Sequence, residues 1–235
     1  MSNPYFQFKQ FSVWHDRCAM KVGTDGCLLG AWVDVSGADR ILDVGTGTGL
    51  IALMLAQRSA AVSVVAVEVD AAAAEQAVEN VQRSPWPDRI EVLHTDFKSY
   101  ESGEGFDLIV SNPPYFVDSL LSPDRQRSLA RHASGLTYAD LLAKSVSLLR
   151  PGGRLALVLP MDLLPHLLRM APYFKLSLCR QTDVRTTPKA APKRVLVCFS
   201  LETSTCTYDE LVIEKAPQVY TSQFRTLLKD FYLKF

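Results

Sequence analysis

The stretch Arg40 to Leu50, RILDVGTGTGL, leaves the chain little choice of fold. The apolar run Ile41, Leu42, Val44 ends in glycines at alternate positions, Gly45, Gly47 and Gly49, and Leu50 to Ala56, LIALMLA, reads as a buried helix. Strand, glycine turn and helix form the first unit of a doubly wound α/β sheet, in which ligands bind outside the carboxyl ends of the strands. Glycine is needed where the turn is tight and where a ligand approaches the backbone without meeting a Cβ. The helix start presents free N–H groups to an anionic part of that ligand. The dinucleotide fingerprint G-x-G-x-x-G, counted from Gly45, would place its third glycine at Leu50. The pattern is instead D-x-G-x-G-x-G with Asp43 at the strand end, and an acid there is a poor neighbour for a pyrophosphate.

This pattern resembles the first motif of class I S-adenosylmethionine-dependent methyltransferases. The resemblance implies that Asp43, Gly45, Gly47 and Gly49 face the cofactor, whose ammonium and sulfonium groups suit an acid. It also implies that the segment before the first core strand closes over the methionine end. Here that segment contains HDRCAMKVGTDGCLLGAW, with Lys21, Gly23, Thr24 and Asp25 as candidate contacts. Gly23 to Gly26 is a turn signal. Cys27 to Val33 is expected as a short apolar helix, capped by Thr24 or Asp25.

Val62 to Val69 is a β-rich apolar run and the expected second core strand. Glu68 follows Gly49 by 68 − 49 = 19 residues, the distance at which an acid meets ribose hydroxyls in dinucleotide folds. Asp70 then caps an alanine-rich helix, Ala71 to Arg83, which Pro85 and Pro87 end. After the third strand, Ile90 to Leu93, Asp96 is a candidate acceptor for the adenine amine and Phe97 for contact with the ring. His94 has no second ligand at metal-binding spacing, so no metal is expected.

The fourth strand, Phe106 to Val110, ends directly in Ser111-Asn112-Pro113-Pro114-Tyr115. NPPY at this position resembles the catalytic motif of methyltransferases that modify planar, amide-like nitrogens. Such a nitrogen is a weak nucleophile because its lone pair is delocalised. Asn112 Oδ1 and the Pro113 carbonyl are expected to accept one N–H each, turning the lone pair toward the methyl group. Pro113 and Pro114 fix their own φ and restrict the residue before each, a form of preorganisation. Tyr115 is expected to stack on a base substrate, and the resemblance implies that Asn112 also faces the cofactor. No side-chain nucleophile is required.

A closer resemblance runs along nearly the whole chain. FKQF, HDRCAMKVGTDG, DVGTGTGL, SPWP, FDLI, SNPPY and the terminal FYL occur in order and together resemble the bacterial tRNA(Val) adenine-N(6)-methyltransferase family. That family methylates the adenine immediately 3′ of the anticodon, which implies tRNA as partner and S-adenosylmethionine as cofactor. A single-stranded loop adenine is splayed out at less cost than a duplex base. Two other readings stand beside this one: a glutamine methyltransferase of release factors, which shares NPPY, and a non-catalytic RNA-binding module. The first usually carries a helical domain before its core, whereas 39 residues precede Arg40. The intact motifs oppose the second.

Composition limits the partners. Net charge is zero, which disfavours a non-specific nucleic-acid binder, but the charge is unevenly placed. Val67 to Asp107 carries ten acids against three bases, whereas Leu121 to Arg154 has six bases against two acids and Arg180 to Arg194 five against one. Such asymmetry steers a polyanion to one rim. Arg125, Arg127 and Arg131, after the catalytic motif, and Lys189 and Lys193, in a basic connection from Gln181 to Arg194, are the candidate phosphate contacts. Five scattered cysteines without a C-x-x-C pair read as reduced thiols. With no apolar run of membrane-span length and no signal peptide, the cytoplasm is expected.

Farther on, Thr137-x-x-Asp140 is a capping-box start for a helix to Leu149, and Arg154 to Leu159 is a fifth strand. Met161 to Met170 reads as a helix with Pro165 in its first turn. Leu176 to Arg180 and Val195 to Leu201 are expected as a closing antiparallel pair. The fold expected is therefore α/β: a doubly wound, mostly parallel seven-stranded sheet with a C-terminal antiparallel hairpin. One domain is expected, comprising a cofactor-closing segment (1–37), a core (38–202) and an extension (203–235) whose Phe224, Leu227, Leu228 and Phe231 fall at helical spacing.

Overall fold

The computed structural model describes residues 3–59, 62–113 and 135–235. A short antiparallel pair, β1 (Tyr5–Gln7) and β2 (Ser12–Trp14), leads into α1 (Thr24–Trp32). The core then alternates: β3 (Arg40–Val44), α2 (Leu50–Arg58), β4 (Ser63–Glu68), α3 (Ala71–Gln82), β5 (Ile90–His94), β6 (Phe106–Ser111), α4 (Tyr138–Leu148), β7 (Leu149–Pro160), α5 (Leu164–Met170), β8 (Ser177–Arg185) and β9 (Arg194–Ser200). The extension adds β10 (Thr207–Val212), a small hairpin of β11 (Glu214–Ala216) and β12 (Val219–Tyr220), and α6 (Ser222–Leu228).

The central sheet has eight strands in the order β10-β8-β9-β7-β6-β3-β4-β5. From β7 to β5 every neighbour is parallel, β9 runs antiparallel between β7 and β8, and β10 lies parallel to β8. The doubly wound core and its closing hairpin match expectation. The eighth strand is a difference: Tyr208 and Leu211 of the extension continue the sheet at the edge left open by β8, where an unpaired row of backbone groups would otherwise be exposed.

Both faces of the sheet are covered, which explains near-continuous apolar strands instead of alternating ones. Successive side chains point to opposite faces. Ile41, Leu108 and Ala156 join α1, α2 and α6 in one core cluster; Leu42, Ile109 and Leu157 join α4 and α5 in the other. Leu53 in α2 is fully buried, and truncating such a side chain to alanine costs about 2–5 kcal/mol. In the extension, Phe224, Leu228 and Phe231 are buried against this core and Leu227 is partly so.

Several boundaries differ from the sequence reading, among them β7, which starts at Leu149, well before the expected Arg154. α1 begins at Thr24, with Gly23 at its N-cap and no side-chain cap, so Thr24 and Asp25 lie inside the first turn. Asp25 is paired with Arg194 Nε at 2.8 Å instead. The strand β8 continues to Arg185 because both its edges are hydrogen-bonded, one to β9 and one to β10. The basic connection therefore shrinks to residues 186–193. The capping roles of Asp70, which accepts from Ala73 N, and of Thr137 with Asp140, a reciprocal capping box, are as expected. Pro165 sits in the first turn of α5.

Candidate active site at the carboxyl ends of the strands

The three turn glycines all have positive φ, 68°, 55° and 80° for Gly45, Gly47 and Gly49, a conformation that costs an L-residue about 1–2 kcal/mol. They differ in surroundings. A Cβ on Gly45 or Gly47 would meet no atom within 4 Å, whereas one on Gly49 would touch Ala77 Cβ of α3 at 3.5 Å. Gly45 and Gly47 thus leave an open cradle above the turn, and Gly49 lets α3 approach.

Two acids hold that turn. Asp43 is fully buried. Its Oδ2 accepts from Thr46 Oγ1 at 2.6 Å and from Ala52 N at 3.1 Å, so it ties strand, turn and helix α2 together. Its Oδ1 is buried with no partner among the described residues. Burial pushes the Asp43 carboxyl up to about 7, against the pull of its two hydrogen bonds and with a further push from the charge of Glu68. Glu68 Oε2 accepts from Gly47 N at 2.8 Å and Oε1 from Val69 N and Asp70 N. A carboxylate offers about four acceptor positions, so these three bonds fix its orientation and leave capacity for one more donor.

Asp96 follows β5 and accepts from Lys98 N at 2.9 Å, closing its own turn. Phe97 is buried in the core with Val44, Val65 and Val67.

Asn112 stands at the end of β6, and Ser111 fixes it there. The buried Ser111 Oγ donates to the Val44 carbonyl at 2.8 Å, joining the ends of β6 and β3. Asn112 Oδ1 is buried without a hydrogen-bond partner among the described residues. Its amide nitrogen is 4.0 Å from the position a Cβ on Gly26 would take, so the first turn of α1 closes against it. Pro113 is buried. Pro114, Tyr115, Arg125, Arg127 and Arg131 lie outside the described residues. Lys21, Gly23 and Thr24 are exposed around the start of α1, and Asp25 is partly buried. Lys189 and Lys193 are exposed, and the Lys193 carbonyl accepts from Met161 N just past β7, which places that loop at the same end of the sheet as Asn112.

Sequence reasoning missed two residues that shape the site. Asn80 of α3, fully buried, donates to the carbonyls of Trp14 and Thr48 and accepts from Trp14 N. One turn earlier, Gln76 accepts from Arg17 N at 3.1 Å. Asn80 binds the end of β2 to the glycine turn, and Gln76 holds the segment just after β2 on α3. Two polar residues four apart in an alanine-rich helix were the available signal. The same segment brings Cys18 near Glu68 and Asp70; burial first, then those two charges, push its thiol up to about 11.

An orphaned buried acceptor costs about 1–3 kcal/mol and calls for a donor. Asp43 Oδ1 and Asn112 Oδ1, an open glycine cradle and a carboxylate with spare capacity fit a ligand with cationic and hydroxyl groups, such as S-adenosylmethionine. Among the described residues no group of side chains is arranged to hold a metal ion, and no helix is long and apolar enough to cross a membrane.

Comparisons with known proteins agree with this chemistry. The family model for the methyltransferase small domain matches residues 21–175. A protein of Bacteroides thetaiotaomicron named tRNA1(Val) (adenine(37)-N6)-methyltransferase is 54% identical over 99% of each chain. Proteins of the same name from Trichodesmium erythraeum and Aeromonas hydrophila are 48% and 47% identical, with coverage of 100% of both chains and of 99% and 98% respectively. Among solved structures, one described as a predicted O-methyltransferase from Agrobacterium tumefaciens superposes with a TM-score of 0.69 at 20% identity, covering 88% of this chain and 96% of that one. A methyltransferase from Pyrococcus furiosus gives 0.55 at 23%, covering 72% and 78%. These two establish the fold.

Proposed function

This chain belongs to the tRNA1(Val) (adenine(37)-N6)-methyltransferase family, and from that premise we propose that it methylates the exocyclic 6-amino group of the adenine 3′ of the anticodon in tRNA(Val). The single observation that carries the proposal is the buried Oδ1 of Asn112, without a hydrogen-bond partner among the described residues, at the end of β6 beside the glycine turn.

S-adenosylmethionine, when bound, supplies a methyl carbon made electrophilic by its sulfonium. The chain's part is to grip the amine. Asn112 Oδ1 accepts one N–H and the Pro113 carbonyl the other, which turns the nitrogen lone pair out of the ring plane. Ser111, bonded to Val44, keeps Asn112 from following the base. As the amine gains positive charge, each N–H···O bond becomes charge-assisted and roughly twice as strong. The grip therefore favours the transition state over the ground state. Tyr115 stacks on the base.

The cofactor lies on Gly45 and Gly47. Glu68 offers its remaining lone pair to a ribose hydroxyl, and Asp43 faces the methionine end together with Lys21, Gly23, Thr24 and Asp25. Asp96 keeps acceptor capacity for the adenine amine. Lys189 and Lys193, at the same end of the sheet as Asn112, and Arg125, Arg127 and Arg131 contact RNA phosphates. The enzyme acts in the cytoplasm, where its tRNA is. The test is mass spectrometry of digested tRNA(Val) from cells with and without the gene. Loss of 6-methyladenosine on deletion is expected, and an unchanged level overturns the proposal.

A further inference from the structure

A cavity of about 670 Å³ opens at the opposite end of the sheet, between the start of β7, the end of β9 and the last turn of α1. Arg58, Arg154 and Arg180 line it, and so do Cys179 and Cys198. The pairing of β8 with β9 is irregular here. Leu178 opposes Phe199 and Arg180 opposes Cys198, leaving Cys179 as the extra residue of a β-bulge. Cys179 and Arg180 thus both oppose Cys198. Leu178 and Phe199 pack on one face of the sheet, Cys179 and Cys198 on the other. The Cys179 thiol donates to the Cys198 carbonyl at 3.1 Å, and the Cys198 thiol faces the Phe199 carbonyl at 4.0 Å.

We propose that Cys179 and Cys198 are a redox pair, which a hydroperoxide entering this cavity oxidises to a cross-strand disulfide. A bulge sets both of its residues against one partner, and Cys179 and Cys198 lie on the same face of the sheet, the side-by-side placement that a disulfide, with Cβ atoms about 3.5–4.5 Å apart, requires. The thiols divide the work. The neighbouring Cys198 thiol and, less strongly, the charge of Arg154 draw Cys179 down to about 7 against its burial. The same contact and deep burial push Cys198 up, so it keeps its proton. Thiolate is the nucleophile. Cys179 sulfur attacks the terminal peroxide oxygen, the O–O bond breaks, and the other oxygen takes a proton and leaves as water (from hydrogen peroxide) or as an alcohol (from an organic hydroperoxide), with Cys179 now a sulfenic acid. Cys198 sulfur then attacks Cys179 sulfur, its proton joins the leaving hydroxyl, and water departs. Two thiols lose two electrons and two protons to one hydroperoxide.

The test treats the full chain at neutral pH with one equivalent of hydrogen peroxide and reads peptide masses without reduction. The expected product is one linkage, Cys179 to Cys198, with the mass of two hydrogens lost and restored by dithiothreitol. Cys198→Ser should instead carry one added oxygen on Cys179, trapped by dimedone. Cys179→Ser should leave Cys198 reduced. Cys18, with its thiol pushed up to about 11, should react at least about tenfold more slowly than Cys179. Methyl transfer by each variant reports that it is folded. If either serine variant fails to fold, the linkage map and the relative rates of the unaltered chain decide alone. Oxidation that falls first on Cys18 or Cys206, or a Cys179 that stays reduced, overturns the proposal.

Discussion

Alanine placed at Gly47 and at Gly49 separates backbone strain from ligand fit. Both positions have positive φ, 55° and 80°, so each substitution costs about 1–2 kcal/mol of stability. In a chain of this size that corresponds to a fall in Tm of about 2–4 °C per kcal/mol. The consequences for the cofactor differ. The Cβ of Gly49→Ala lands at 3.5 Å from Ala77 Cβ, an ordinary contact with the protein itself. The Cβ of Gly47→Ala projects into space with no protein atom within 4 Å, the space assigned here to the ligand. Overpacking of a close contact costs about 1–3 kcal/mol, or a factor of roughly 5 to 150 in affinity. Thermal unfolding and calorimetric titration with S-adenosylhomocysteine measure the two effects on the same samples. Both variants should lose similar stability, and Gly47→Ala alone should lose most of its affinity. Normal binding by Gly47→Ala, or equal losses in both, would refute the assignment of the cradle.

Three further outcomes are expected. Ser111→Ala removes a buried bond to Val44 and should cost about 1–2 kcal/mol in denaturant unfolding, with a drop in kcat and little change in cofactor affinity. Asn80→Leu removes three bonds to Trp14 and Thr48; it should speed amide exchange at Trp14 and weaken cofactor binding before global unfolding is affected. The third concerns pH. Burial raises the Asp43 carboxyl from 3.8 to about 7 in the folded chain, so between these values the folded state binds the extra proton. Stability from this group should fall as pH rises from about 4 to about 7. The stability difference between Asp43→Asn and the unaltered chain should track that slope, and a flat difference would contradict it.

What could be read from the sequence was local. The β3–turn–α2 unit, the caps at Asp70 and Thr137, and the position of Asn112 after β6 all depend on residues within a few positions of one another. The misses depend on distant partners. The strand β8 extends to Arg185 because β10, supplied by the extension, pairs along it. Thr24 and Asp25 are good capping residues, yet Gly23 takes that place and Asp25 is held by Arg194 from β9. Gln76 and Asn80 gave only a faint signal, because their partners in the segment after β2 lie more than half a hundred residues away in sequence.

The most direct test of the grip on the amine is single-turnover methyl transfer to unmodified tRNA(Val) by the unaltered chain and by Asn112→Ala. Losing one charge-assisted acceptor, worth about 1.5–3 kcal/mol, should slow the chemical step by roughly 10- to 150-fold, with S-adenosylmethionine still bound. Transfer at the original rate would show that the orphaned oxygen of Asn112 takes no part in the reaction.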